Sequence, residues 1–101
     1  MRKIADTGLL KAALDADDRH HSWGARELRA HAPFVTCEGV LVELAFLVGS
    51  GRPGMLLVQR GDLVLDFSIV DAHARILELL AQYQDCPMDL TDACLVCMAE
   101  R

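Results

Sequence analysis

Four acidic residues stand where an acid needs a reason. Asp6 closes the short apolar run Ile4-Ala5 and is followed by Thr7-Gly8. Glu43 is the only polar side chain between Gly39 and Val48, in GVLVELAFLV. Asp89 and Asp92 lie three apart in MDLTDACLVC. Carboxylate oxygens, with water, suit Mg²⁺ or Mn²⁺. Acids from distant segments that share a cleft repel one another, so something positive must hold them there. Each acid also has a plainer reading. Asp6 can accept hydrogen bonds from turn amides. Asp89 can cap a helix whose first turn carries Asp92. Glu43 can sit at an uncovered rim. It is the most informative of the four, because a helix apolar on every side is expected to be covered on every side. A lone carboxylate buried there would have to be paired or to stay protonated. The ten basic residues fall mostly in polar stretches.

The elements that must position these acids follow from patterning. Lys3 to Thr7 reads as a short buried strand, and Leu9–Leu14 as a short helix. Asp15, Asp17 and Asp18 form a loop before a second helix, about His20 to His31, with Trp23, Ala25 and Leu28 on its apolar stripe. Phe34 to Cys37, between Pro33 and Gly39, is a second strand. A helix spans Glu38–Val48, and residues 49–54 form a turn rich in glycine and proline. Met55–Arg60 is predicted as a short helix, Leu63 to Phe67 as a third strand, Asp71–Gln84 as a long helix and Asp89–Arg101 as the last. Strands alternating with helices imply α/β architecture, a parallel sheet with helices on both faces. Ligands of such sheets sit beyond the carboxyl ends of the strands, where Asp6 is expected.

Bulk properties set the class. A chain of 101 residues is one domain, 1–101, and hides roughly 60–68% of its unfolded surface. Apolar residues make up 52% of it, which suits an ordered core. The formal net charge of −5 argues against binding nucleic acid through a broad basic surface. It leaves open an enzyme that handles phosphates through metal ions. Cys94 and Cys97 form a C-x-x-C inside a helical pattern, and no second Cys or His pair completes a zinc spacing. The cysteines are expected to be small buried side chains in a reducing cytosol. Nothing in the sequence resembles a leader, and the apolar run from Val40 to Val48 is too short to span a bilayer. A cytoplasmic protein with no membrane contact is expected.

Taken in order, ADTGLLKAALDADDRHH, VLVELAFLV and QYQDCPMDLTDACLVCMAER resemble the PIN domain family, specifically small prokaryotic members of the VapC toxin type. The resemblance runs from residue 3 to the last residue. It implies a three-layer α/β/α fold with a central parallel sheet. It further implies a Mg²⁺- or Mn²⁺-dependent endoribonuclease with an RNA substrate, held inactive by an antitoxin protein. Carried over by position, Asp6, Glu43 and Asp92 are the catalytic and metal-binding acids. Asp89 is a further metal-site acid one turn before Asp92, and Thr7 orients the cluster. The family usually continues into another strand and a further acid, in a segment like T-x-D-x-x-D-F that this sequence does not contain. A C-terminally truncated PIN fold would leave a bare edge beside strand one, from which a homo-oligomer is expected.

Two rival readings stand beside this one. A PIN-like protein with impaired catalysis would act by binding a partner or a second copy. A phosphatase or receiver domain also uses strand-end acids but needs a later lysine, and none follows Lys11. His20 and His21 are expected in a solvated loop and helix start rather than on a metal. Trp23 is expected to anchor the second helix in the core or at a subunit contact. Arg19, Arg52 and Arg60 could meet RNA phosphates, though scattered arginines are commonly just surface.

Overall fold

The computed structural model describes residues 2–101. Its strands are β1 (Lys3–Ile4), β2 (Phe34–Thr36) and β3 (Leu63–Leu65), and its helices α1 (Thr7–Leu14), α2 (His21–His31), α3 (Glu38–Val48), α4 (Arg52–Arg60), α5 (Ile69–Gln82) and α6 (Leu90–Glu100). The sheet is parallel, in the order β1-β2-β3. Lys3 stands opposite Phe34, and Phe34 opposite Leu63.

Phe34, Val35 and Thr36 are all buried. Successive strand side chains point to opposite faces, so the central strand is covered on both. The Thr36 hydroxyl is hidden as well, and it donates to the Ala5 carbonyl at 2.7 Å. With the Ala5 amide bonded to Val35 at 2.9 Å, this fixes the path of the chain out of β1 into Asp6. Around the sheet, Leu10, Val40, Leu44, Leu57, Leu63, Ile76, Leu79 and Met98 form one continuous core.

The helices start where local chemistry lets them. Asp6 accepts from the Leu9 amide and so opens α1 two residues earlier than expected, at Thr7. α4 begins at Arg52 rather than Met55, because Pro53 fits a first helical turn, where its missing N–H costs nothing. Gly54 is then buried against Leu41 and Leu44 of α3. β3 stops at Leu65, short of Phe67, and Ser68 caps α5 at Ile69. Gly49 and Gly61 end α3 and α4 at φ 81° and 83°, a left-handed region open to glycine.

Two expectations need correcting. α3 is not covered on every side: Val42 is 70% and Phe46 88% exposed, while Glu43 is half-buried. A uniformly apolar sequence says that no face is polar, not that every face has a neighbour. Trp23, 47% exposed, does not enter the core either, which leaves only the subunit-contact half of its expected role. The residue that seats α2 is its neighbour Gly24. A Cβ there would lie 2.6 Å from the Ala13 amide nitrogen and 2.8 Å from the Ala12 Cβ. Only a hydrogen lets the two helices approach so closely.

Candidate functional site

A parallel sheet puts the carboxyl ends of its strands on one edge, and here the starts of α1, α3 and α5 follow those ends directly. α6 joins them from outside. Gly39, in the first turn of α3, lies so close to Thr91 in the first turn of α6 that a Cβ would come within 2.4 Å of the Thr91 Oγ1. Asp6, Thr7, Asp89 and Asp92 therefore all belong to this edge.

Glu43 reaches it from the body of α3. Its Oε1 accepts from the Thr7 hydroxyl at 2.7 Å, a partly buried bond across 36 residues of sequence. The two expected site residues farthest from any shared local motif are thus in direct contact. Helical side chains lean toward the N-terminus of their helix, which directs Glu43 toward the strand ends. Beside the pair lies an open depression of about 600 Å³ lined by Thr7, Gly8, Val42, Glu43, Phe46 and Leu47. It is apolar apart from the hydroxyl and the carboxylate.

The other three acids serve their own backbone. Asp6 Oδ1 accepts from the Leu9 amide at 2.9 Å. Asp89 Oδ1 accepts from the Asp92 amide at 2.8 Å, and Asp92 Oδ2 accepts in return from the Asp89 amide at 3.3 Å. This reciprocal arrangement is a capping box, here built from two aspartates. All three are exposed. Among the described residues, none of the four acids is paired with a lysine or arginine, and each keeps one carboxylate oxygen outside these bonds.

The fit to a divalent ion is divided. The donor chemistry suits Mg²⁺ or Mn²⁺, since every candidate ligand is a hard oxygen. The spacing does not: among the described residues, no three His, Cys, Asp or Glu side chains stand close enough to hold one metal ion. The contacts are pairwise, Thr7 with Glu43 and Asp89 with Asp92.

The acids near His20 and His21 do structural work of another kind. Lys11 Nζ lies 3.1 Å from Asp15 Oδ2 and 2.8 Å from Asp18 Oδ2. Asp18 Oδ1 also accepts from the His20 amide, and His21 Nδ1 lies 2.8 Å from the Ala12 carbonyl. The loop is thus tied to α1. Arg19, Arg52 and Arg60 are exposed, and Arg60 pairs with Asp62 at 3.2 Å.

Sequence reasoning missed a second cavity at the same edge. It measures about 410 Å³ and is lined by residues that include Cys37, Glu38, Gly39, Ser68, Thr91 and Cys94. No spacing in the sequence points to it, because it lies where Gly39 and Thr91, far apart along the chain, pack together. No helix is long and apolar enough to cross a membrane among the described residues. Comparison with protein-family models, curated proteins and solved structures finds no match to this chain.

Proposed function

We propose that this chain is a PIN-like α/β domain, three-layered about its parallel sheet, whose function is metal-dependent hydrolysis of RNA phosphodiesters. The observation that carries the reading is the Thr7–Glu43 hydrogen bond at the carboxyl ends of the strands. It joins the strand-one segment to the single acid of an apolar helix, at the edge where open α/β sheets bind ligands. The bond satisfies a half-buried carboxylate, and what a structural role alone leaves unexplained is an acid at this position of an otherwise apolar helix.

In this reading Thr7 holds the Glu43 carboxylate in one orientation. Asp6 and Asp92 present their remaining oxygens from the starts of α1 and α6, with Asp89 behind Asp92. Mg²⁺ or Mn²⁺ would take these acids as ligands, and Asp92 would have to leave the Asp89 amide to join them. The separation of the acids is therefore the feature any experiment must address.

The test is cleavage of single-stranded RNA with Mn²⁺ or Mg²⁺, alongside calorimetric titration of Mn²⁺. Wild type should cleave, and Glu43→Gln and Asp6→Asn should lose cleavage and weaken Mn²⁺ binding while staying folded. Thr7→Val should reduce the rate by less, since it frees the carboxylate without removing it. Full activity in Glu43→Gln would end the reading.

A second reading is favoured by the outer face of α3. Val42, Phe46 and Leu47 are 70%, 88% and 51% exposed around Glu43. A PIN-like chain with impaired catalysis would use this face to bind an antitoxin-like partner or a second copy. It predicts no Mn²⁺ binding and no cleavage in wild type, together with association weakened by Phe46→Ser.

A further inference from the structure

Two buried thiols line one cavity where α3 starts against α6, and nothing in the proposed hydrolysis uses them. Cys37 is the residue before α3, and Cys94 lies one turn into α6. They are 3% and 2% exposed, both are free, and Cys37 is among the groups that push the Cys94 thiol up. Both line the 410 Å³ cavity. The backbone independently brings these segments together. Thr91, which a Gly39 Cβ would strike, is three residues before Cys94 and shares its face of α6. The other cysteines differ. Cys97 is buried on the same helix as Cys94, and Cys86 is exposed in the loop before it.

We propose that Cys37 and Cys94 are an oxidisable pair forming a reversible disulfide between the start of α3 and α6, with a small-molecule disulfide as oxidant. The Cys37 thiolate attacks one sulfur of the reagent, RSSR, giving a mixed disulfide and expelling one thiolate. The Cys94 thiolate then attacks the Cys37 sulfur, closing the protein disulfide and expelling the second. Two protein S–H bonds and the reagent's S–S bond are broken. One protein S–S bond and two RSH molecules form, and two electrons pass from the protein to the reagent. The cavity admits the reagent to sulfurs that are otherwise covered. Burial pushes the Cys94 thiol up to about 11, which makes it the slower, second attacker. Closure would lock the junction that sets Asp89 and Asp92 against α3. The inference stands apart from the hydrolase reading and survives its failure.

The experiment treats the wild-type chain, and a Cys86→Ala/Cys97→Ala variant, with hydroxyethyl disulfide. Residual thiols are then alkylated, and intact mass and linked peptides are read by mass spectrometry. The variant should lose both free thiols and two hydrogens of mass as a monomer, and dithiothreitol should restore them. The link mapped in wild type should join Cys37 to Cys94, which keeps the result independent of how well the variant folds. A wild-type Cys94–Cys97 link, a mixed disulfide that never resolves, or thiols that stay fully alkylatable would overturn the proposal.

Discussion

Replacing Gly39 with alanine probes the junction that brings the α6 acids to the sheet edge. The new Cβ would lie 2.4 Å from Thr91 Oγ1, 3.3 Å from its Cβ and 3.4 Å from its Cγ2. Rotating Thr91 about χ1 relieves only part of this, because its Cβ, which that rotation does not move, already stands at 3.3 Å. Relief therefore requires α3 and α6 to part by up to about an ångström, a case of overpacking that typically costs about 1–3 kcal/mol. Alanine recovers up to about 1 kcal/mol of helix propensity, and less in a first turn. The expected net loss is about 1–2 kcal/mol, or a fall of roughly 5–10 °C in Tm for a domain of this size. Thr91→Ala should remove the closest contact and restore most of that loss. The double-mutant coupling should exceed about 0.5 kcal/mol, the limit for independent sites. Thermal unfolding of wild type, both single variants and the double variant measures it. A Gly39→Ala chain as stable as wild type, or additive losses, would refute the packing argument and the placement of α6 with it.

Gly24→Ala should be costlier than an ordinary helical Gly→Ala change, which gains up to about 1 kcal/mol. Its Cβ meets the backbone of Ala12 and Ala13 at 2.9 and 2.6 Å, so urea unfolding should show a loss of roughly 1–3 kcal/mol or more. Asp89→Ala should cost about 1 kcal/mol in thermal unfolding through the lost cap, whereas Asp89→Ser should keep most of it. Equal losses in the two would remove the capping account. Lys11 gives a prediction at both ends of the pH scale. Its ammonium is raised by Asp18 and then by Asp15. The Asp18 carboxyl is held low by Lys11 first, and that of Asp15 by the Asp17 amide and then Lys11. The carboxylate contribution is complete above their unfolded value near about 4 and fades as pH falls through the lower folded values. The ammonium contribution is complete below about 10.4 and fades as pH rises through its higher folded value. The stability gap between wild type and Lys11→Met should therefore be small but present at neutral pH and should shrink at both extremes. A gap that grows in acid would contradict the ion-pair assignment.

The periodicity of this chain carried its architecture well where a helix was long and bounded. α3 runs from Glu38 to Val48 as its apolar block and flanking glycine indicate. It carried less where an end depends on one side chain. Asp6, Ser68 and Pro53 each start a helix two or three residues before the apolar pattern would, because capping and proline geometry act on the backbone rather than on burial. The site divides in the same way. The pairing of Asp89 with Asp92 is local and was legible as a cap. The approach of Thr7 to Glu43 was expected only through the family resemblance, since no rule of spacing links positions so far apart. The Cys37–Cys94 cavity left no mark in the sequence, because small buried residues look alike wherever they pack.

Capping and ligand binding compete for the same oxygens, but not for all of them. A carboxylate has two, and the helix start takes one from each of Asp6, Asp89 and Asp92. What decides whether these acids can act together is therefore the distance between the segments that carry them, not their use as caps. Two contacts set that distance. The Thr7–Glu43 bond ties α1 to α3, and the Gly39–Thr91 packing ties α3 to α6. The first is polar and adjusts by rotating side chains. The second rests on a missing side chain at Gly39 and can only be opened by moving helices. In the proposed metal site, Asp92 would reach toward Glu43 by its side chain alone, at the expense of its bond to the Asp89 amide. A cation strong enough to replace that bond gains a charge-assisted interaction in exchange for a longer, exposed one at 3.3 Å. On this ground the Asp92 half of the capping box is the weaker one, and α6 can keep its Asp89 cap while it gives up the other.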